Sequence, residues 1–196
     1  MLSVVMASEE LATVAGGCFW CMEAVFQRVK GVRGVVSGYC GGDEASAPNY
    51  DQVSAGRTDH AESVQIRFDP AIIPYGVLLD QFLDAIDVTT LNQQGPDRGR
   101  HYRSAIFFHS EEQRQEAMRA LRRKQLKLPG KKIVVEVSKM NKFWDVVSLG
   151  ETYHHNFYNK CTEGNCYHPG YNNHVVKTKL QKLGLSLEHS GHKDEL

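Results

Sequence analysis

The chain has 196 residues, of which 41% are hydrophobic and 23% are charged, and this composition fits one globular domain with a sizeable core. Lys plus Arg and Asp plus Glu both number 23, so the formal charge is zero and no basic field favours nucleic acid or an anionic membrane as a partner. No apolar run of about 18 residues is present, so no membrane-spanning helix is expected.

The first half of the chain predicts alternating strands and helices. Residues 11–15 predict a short buried strand, which the pair Gly16-Gly17 separates from a helix. That helix carries apolar residues spaced three and four apart and ends before Gly31. The next expected elements are a strand at 32–39, a loop at 41–49, a strand at 63–68 and an amphipathic helix around 78–86.

The second half predicts two more strands, two helices and a polar tail. Residues 91–101 are expected to form a polar loop, followed by a strand at 102–108. Ser110 with Gln113 is a capping-box signal for a basic, exposed helix. That helix is expected to end near Gln125, and a turn at Pro129-Gly130 leads into a strand at 132–138. A short helix capped by Ser148 and Glu151 should run to Tyr158. The tail from about Leu185 is expected to be frayed.

This order of elements predicts an α+β fold, a single-domain two-layer sandwich in which a mixed sheet packs with helices and a loop-rich C-terminal segment. No internal repeat, low-complexity block or linker divides the chain. We therefore expect one domain over residues 1–196, with its core at about 11–185 and a flexible tail at 186–196, acting as a monomer.

Cys18 and Cys21 lie three apart in the segment AGGCFWCMEAVF, at the predicted strand-to-helix junction. A helix N-terminus offers free N–H groups and a partial positive charge, so the pKa of a thiol at Cys18 should be lowered. Cys21 follows one turn later on the same side, which is the layout of thiol–disulfide oxidoreductases. The pattern alone leaves a redox pair, half of a metal site and two inert buried thiols open.

A zinc-binding module is the main alternative, and a general disulfide oxidoreductase is another. Cys161 and Cys166 form a second cysteine pair that could complete a tetrahedral four-cysteine site with the first. Phe19 and Trp20 argue against it, because small and polar residues usually separate the cysteines of a zinc knuckle. Two bulky aromatics beside a sulfur instead favour an apolar pocket for a small, soft substrate group.

Several segments together resemble the peptide methionine sulfoxide reductases of the A type. GGCFWCMEAVFQRVKGV, starting at Gly16, resembles the catalytic segment of that family. Asp59 departs from the pattern, because it stands where the family usually has glycine. The other matches, spread over about 13–183, are Ser37-Gly38-Tyr39 with Gly41-Gly42 (SGYxGG), Asn49-Tyr50 to Val53 (PTYxxV), Thr58 to Glu62 (TGHAE), Gln94 to Asp97 with His101 to Ser104 (QGxDxGxQYRS), and Glu151 to His154 (AExYH).

The resemblance implies a catalytic domain that reduces methionine sulfoxide, its S epimer, free or in oxidised proteins and peptides, and so repairs oxidative damage. Cys18 would be the nucleophile and would become a sulfenic acid. Glu62, beside Tyr50 and Tyr102, would supply the proton that the sulfoxide oxygen needs in order to leave. This role requires a neutral carboxyl, and hence a pKa raised by a partly desolvated pocket.

The resemblance also implies how the pocket is lined and what the enzyme consumes. Phe19 and Trp20 would receive the methyl group of the substrate, while Asp97 and His154 would hold the hydrogen bonds of the pocket. No bound cofactor and no metal are expected. Thioredoxin, a thioredoxin-like protein or another dithiol would supply the electrons.

The resolving step departs from the family pattern. In many relatives the thiol that attacks the sulfenic acid lies in a C-terminal Gly-Tyr-Cys, but here Asn172 follows Tyr171. Cys40 is expected to be a bystander, and we expect a relay from Cys18 to one C-terminal cysteine and then to the other. The candidates for the resolving thiol are Cys161, Cys166 and Cys21.

The localisation signals conflict. The segment MLSVVMASEELATV has no basic region and only a short apolar run, so no secretory signal is predicted and the cytoplasm is expected. The tetrapeptide Lys193-Asp194-Glu195-Leu196 matches a retrieval signal that is read in the endoplasmic reticulum. If that signal is functional and a leader is missing from the sequence, the expected compartment is the lumen of the endoplasmic reticulum.

Overall fold

The computed structural model describes residues 8–162 and 174–188. Cys166, the segment around Asn172 and the C-terminal tetrapeptide lie outside them. No helix in the described part is both long and apolar enough to cross a bilayer. Its elements are β1 (Glu10–Ala15), α1 (Phe19–Phe26), β2 (Val32–Cys40), α2 (Tyr50–Ser54), β3 (Ala61–Phe68), α3 (Tyr75–Ala85), β4 (Gln93–Gln94), β5 (Asp97–Arg98), β6 (Ala105–Phe108), α4 (Glu111–Leu126), β7 (Glu136–Lys139), β8 (Phe143–Asp145), α5 (Phe157–Thr162) and α6 (His174–Lys182), with 3-10 turns at Arg100–Tyr102 and Thr152–His154.

Six of the strands form one mixed sheet in the order β7-β6-β1-β3-β2-β8. β1 runs antiparallel to β3 and β6, and β2 runs antiparallel to β3 and β8. β7 is parallel to β6, its neighbour at one edge. The predicted α+β fold with a mixed sheet is confirmed.

The main core lies between one face of this sheet and the helices. Side chains alternate along a strand, so Val14 of β1 and Val64 and Ile66 of β3 point to this face. Helix α1 packs on β2 and β3 and also contacts α5 and α6. All eight of its residues are buried, which makes α1 a central helix rather than a surface one.

Two expected boundaries are wrong for a physical reason. Ser148 does not cap a helix that runs to Tyr158, because Asp145 Oδ1 accepts the backbone N–H of Ser148 in a turn. Asn156 then adopts a left-handed φ of 54°, which divides the segment into a 3-10 turn and α5. The expected strand at 102–108 starts only at Ala105, since the residues before it form the other 3-10 turn.

Five of the described elements were not predicted, namely α2, β8, α6 and the pair β4 and β5 in the expected loop at 91–101, and one strand was placed too early. Helix α2 has five residues and carries a reciprocal capping box between Asn49 and Gln52, but it is too short to show a helical period. β8 has three residues and is held by pairing with β2. β7 starts at Glu136 instead of residue 132, because its partner β6, and not its own sequence, sets where pairing begins. The predicted helix after Ser110 is confirmed, and Ser110 Oγ accepts from the N–H of Gln113.

Candidate active site

The junction after β1 presents one cysteine at the start of the buried helix α1. Gly17 has a φ of +81°, which glycine adopts without strain, and Cys18 is the N-cap of α1 and is half-buried. A Cβ atom on Gly17 would lie 2.6 Å from Gln94 Cβ. The Gln94 side chain is itself fixed, because it accepts from Asp87 N at 2.9 Å and donates to Ser104 Oγ at 2.9 Å. The position of Cys18 therefore depends on this close approach of the turn to Gln94.

We expect Gly17→Ala to destabilise the protein more than Gly95→Ala. At Gly17 a methyl group adds a left-handed backbone penalty of about 1–2 kcal/mol and an overlap that costs about 1–3 kcal/mol. Gly95 is the matched control, since its φ is also positive, at 59°, but an added Cβ would meet nothing within 4 Å. Urea unfolding of both variants measures the difference, and equal losses would contradict the importance of the Gly17–Gln94 contact.

Glu62 lies beneath the start of α1. It is the second residue of β3 and points to the sheet face that carries Val64 and the main core. Glu62 is 2% exposed, and its Oε2 accepts from the backbone N–H of Phe19 at 3.0 Å. Burial, reinforced by the charge of a Cys18 thiolate, raises the pKa of Glu62 well above its usual value, while the Phe19 N–H opposes this. The Glu62 carboxyl is thus held protonated at the backbone N–H of Phe19, the residue that follows Cys18.

Cys21 lies buried one turn after Cys18, and the two side chains share a hydrogen bond. That hydrogen bond and burial raise the pKa of the Cys18 thiol, whereas the N–H groups of Trp20 and Cys21 lower it. The predicted lowering of the Cys18 pKa by the helix start is therefore wrong for the resting site. The backbone N–H groups lower the pKa of Cys18 as predicted, but the hydrogen bond with Cys21 and burial have the larger effect. Cys18 and Glu62 therefore both hold their protons.

Two tyrosines approach the same site from other elements. Tyr50 is the first residue of α2, and Tyr102 ends a 3-10 turn. Burial raises the pKa of both hydroxyls, and the charges of Glu62 and Cys18 raise them further. Both hydroxyls are therefore close enough to Glu62 and Cys18 to interact with their charges, and they remain hydrogen-bond donors.

Phe19, Trp20 and His154 form an aromatic wall beside these groups. Trp20 Nε1 donates to His154 Nδ1 at 3.0 Å, and the indole stacks on Phe157 with ring centroids 3.8 Å apart. The His154 ring lies 5.1 Å from the Phe19 ring and 4.4 Å from that of Tyr50. Because an indole N–H can only donate, His154 must accept at Nδ1, which sets its tautomer. His154 is fully buried and joins the wall to Tyr50.

The match of this chain to known proteins is extensive. Residues 10–183 match the family model described as peptide methionine sulfoxide reductase. The chain belongs to the peptide methionine sulfoxide reductase family. A relative from Sulfolobus acidocaldarius, named peptide methionine sulfoxide reductase MsrA, is 49% identical over 151 residues, which are 77% of this chain and 82% of that protein. The expectation of a methionine sulfoxide reductase enzyme is confirmed.

Solved structures share the fold of this reductase. The reduced form of Mxr1 from Saccharomyces cerevisiae superposes with a TM-score of 0.75 and 31% identity, over 86% of this chain and 91% of that chain. Methionine sulfoxide reductase A of Corynebacterium diphtheriae gives a TM-score of 0.74 and 26% identity, over 86% and 83% of the two chains. Mxr1 has also been solved in complex with Trx2. The predicted fold class is confirmed by these likenesses.

Glu151 connects Tyr39 and Tyr50, and the sequence indicated it only as part of a motif. Its Oε2 accepts from the Tyr39 hydroxyl at 2.7 Å, and its Oε1 accepts from the N–H of Tyr50 at 2.7 Å. Tyr39 lies directly opposite Glu62 in the β2–β3 register. Glu151 therefore connects the start of α2 to strand β2 and holds Tyr50 near Glu62.

A cavity of about 590 Å³ lies beside the thiol pair. Cys18 and Cys21 line it together with Asp97 and Lys179, whereas the aromatic wall does not. Burial raises the pKa of Asp97, and the charge of Lys179 opposes this. The structure thus places Asp97, expected in the substrate pocket, on the cavity beside the thiols, and it adds Lys179, which no sequence pattern had indicated.

Two further cysteines, Cys40 and Cys161, lie within the described residues. Cys40 is 1% exposed in a small cluster on the opposite face of the sheet, and burial raises its pKa to about 12. Cys161 of α5 is disulfide-bonded. No group of three or more His, Cys, Asp or Glu that could hold a metal is found within 8–162 and 174–188. The four-cysteine zinc alternative therefore finds no support in this part of the chain.

Proposed function

We propose that this reductase converts the S epimer of methionine sulfoxide, free or in peptides and proteins, to methionine through a sulfenic acid on Cys18. The observation that carries the proposal is the pairing of the half-buried Cys18 at the start of α1 with the buried, protonated Glu62, whose Oε2 lies 3.0 Å from the N–H of Phe19. A sulfoxide needs both groups, because its oxygen leaves the sulfur only when it is protonated.

The first step transfers the substrate oxygen to Cys18. Cys18 attacks the sulfoxide sulfur while Glu62 protonates the sulfoxide oxygen, and Tyr50 and Tyr102 donate hydrogen bonds to it. The oxygen, now a hydroxyl, passes to the sulfur of Cys18 as its bond to the substrate sulfur and the transient bond between the two sulfurs break, so methionine gains two electrons and Cys18 becomes the sulfenic acid. The thiol proton of Cys18 replaces the proton that Glu62 gave away, so the acid is ready for another cycle.

The aromatic wall supplies the apolar part of the pocket. Phe19 and Trp20 receive the methyl group of the substrate, and the bond from Trp20 Nε1 to His154 Nδ1 holds the indole in one orientation. The stack of Trp20 on Phe157 supports the same orientation from the other side. A fixed wall of this kind favours one sulfoxide epimer, because exchanging the oxygen and the methyl group would place the oxygen against the aromatic rings.

Cys21 is the thiol that we assign to the resolving step. Its side chain shares a hydrogen bond with that of Cys18, whereas Cys161 is disulfide-bonded and Cys166 lies outside the described residues. Cys21 attacks the sulfenic sulfur, and the oxygen leaves as water. The relay predicted from the sequence, from Cys18 to one of Cys161 and Cys166 and then to the other, is the alternative to this assignment.

A thioredoxin-like dithiol then reduces the disulfide. The relative Mxr1 has been solved in complex with Trx2, which supports this class of donor for the present chain. A dithiol donor also fits a cycle that ends in a disulfide, because thiol–disulfide exchange regenerates both cysteines without a bound cofactor.

The proposal is tested with one synthetic peptide that carries the S or the R epimer of methionine sulfoxide. With excess dithiothreitol we expect complete conversion of the S epimer and no change in the R epimer, measured by chromatography. If the protein left both epimers unchanged but reduced insulin disulfides, the general oxidoreductase alternative would replace the proposal. Stoichiometric zinc in that inactive protein would instead favour the binding module.

A further inference from the structure

We propose that Lys179 of α6 is a positioning residue for the resolving step, in which its ammonium group stabilises the Cys21 thiolate that attacks the Cys18 sulfenic acid. The proposal rests on the proposed function of the thiol pair. The first step, which releases methionine, takes its proton from Glu62, and we expect it to depend on Lys179 less than the resolving step does, because Lys179 interacts more strongly with Cys21 than with Cys18.

Lys179 is held next to the thiols by the packing of α6. Helix α6 contacts both α1 and α3, and the half-buried Lys179 lines the cavity together with Cys18 and Cys21. Its Nζ donates to the carbonyl oxygen of Ala85 at 2.5 Å, at the last residue of α3. This bond anchors the ammonium group in place, and it also gives Lys179 a structural role that an experiment must separate from an electrostatic one.

The ammonium group of Lys179 interacts electrostatically with the thiol pair. Burial lowers the pKa of Lys179, and among the groups that oppose this Cys21 acts most strongly, followed by Cys18 and Asp97. The nearby cation Lys182 lowers the pKa further. An ammonium group that has lost part of its water is stabilised by an anionic neighbour, and by linkage it stabilises that anion in return.

Apart from Asp97, which interacts with Lys179, charged residues that line the cavity have other partners. Lys124 Nζ is bound to Asp84 Oδ1 at 2.6 Å. Asp87 accepts from Thr89 and is also stabilised by the charges of Lys131 and Lys182. Within the described residues, Lys179 is thus the cavity cation whose charge is coupled to the two thiols.

The step that Lys179 assists is balanced without any further reagent. Cys21 loses its thiol proton, its sulfur forms a bond to the sulfur of Cys18, and the sulfur–oxygen bond of the sulfenic acid breaks. The leaving hydroxide takes up a proton and departs as water. Cys21 is oxidised while the sulfenic sulfur is reduced, and the product is the Cys18–Cys21 disulfide. A thiolate at Cys21 is the reactive form, so a neighbouring cation raises its population at neutral pH.

Three variants separate the charge of Lys179 from its hydrogen bond. Lys179→Gln keeps a donor for the Ala85 carbonyl but removes the charge, and Lys179→Arg keeps the charge. Lys182→Gln is the matched control, because it removes a cation from the same helix and the same cavity wall. In a single turnover we expect Lys179→Gln to slow disulfide formation about tenfold, the effect of one pKa unit on the thiolate population. Methionine release should stay within about twofold, and Lys179→Arg and Lys182→Gln should resemble wild type.

A second measurement does not depend on sulfoxide turnover. In a Cys18→Ser background, the pH midpoint for alkylation of Cys21 by iodoacetamide, located by mass spectrometry, should rise by about one unit in Lys179→Gln. An unchanged midpoint would overturn the role of Lys179 even if methionine release is normal. Equal slowing of methionine release and disulfide formation would also overturn it. A raised midpoint in a protein that releases no methionine would support the Lys179–Cys21 pair and refute the proposed function instead.

Discussion

Replacing Cys18 with serine should abolish methionine release, by at least about 10³-fold, even when dithiothreitol is in large excess. The reason is that the sulfur of Cys18 is the atom that accepts the oxygen, and serine cannot form the sulfenic acid. A single turnover without reductant, followed by quantification of methionine, measures this loss. Activity near that of wild type would refute the assignment of the nucleophile.

Cys21→Ser is the matched control, because it removes the neighbouring thiol but leaves the oxygen acceptor. We expect it to release one equivalent of methionine and then to accumulate the sulfenic acid, which dimedone would trap on Cys18. Thioredoxin-dependent turnover should be lost. If Cys21→Ser kept that turnover and Cys161→Ser or Cys166→Ser lost it, the resolving step would belong to the C-terminal pair, and the relay predicted from the sequence would begin there.

Replacing Glu62 with glutamine should slow methionine release about 10²- to 10⁴-fold, the usual size of general acid catalysis. The buried carboxyl has a raised pKa, so it stays protonated to higher pH than an ordinary glutamate. In wild type the rate of release should therefore fall as pH rises through that pKa. Glu62→Gln should remove this fall, which a pH series of single turnovers would show.

Glu23→Gln is the matched control for Glu62. Glu23 is also buried, with a pKa raised by burial, but its carboxyl is bound by His155 Nδ1 at 2.9 Å and accepts from Asn156 N at 2.9 Å. The variant is expected to alter stability while keeping the fall of the wild-type rate with pH. A lost pH dependence in Glu23→Gln would show that the profile reports folding and not proton donation.

The same shift at Glu62 affects stability. Because its pKa is higher in the folded state than in the unfolded chain, the folded state binds more protons between the two values. The free energy of unfolding should consequently fall as pH rises through this window. Glu62→Gln should be more stable than wild type above it, as urea unfolding at several pH values would show. The burial of Glu62 thus lowers the free energy of unfolding at the higher pH values.

Local pattern was sufficient for the parts of the site that depend on a few neighbouring residues. The glycine pair before Cys18 predicted the strand-to-helix turn, and the alternation after Ser63 predicted the strand that carries Glu62. The convergence of Tyr50 and His154 on the same pocket came from the family resemblance, because spacing along the chain says nothing about which loops meet.

Contacts between distant parts of the chain could not be predicted. Glu151 reaches Tyr50 across 101 positions, and Lys179 reaches the thiols only because α6 folds back onto α1. The resting charge of Cys18 was mispredicted for a related reason. The helix start lowers its pKa as expected, but the hydrogen bond that it shares with Cys21 and its burial oppose this effect, and burial depends on the complete fold.

The position of Cys18 has a kinetic consequence. Cys18 lines the cavity that holds Cys21 and Lys179, and the aromatic wall does not border this cavity. A substrate whose methyl group lies against that wall, as proposed, would therefore approach the sulfur from a different direction than the resolving thiol. The reduced methionine need not vacate its pocket before the disulfide closes, so the cycle has no compulsory order in which product departs first, and added methionine should inhibit substrate entry without slowing disulfide formation.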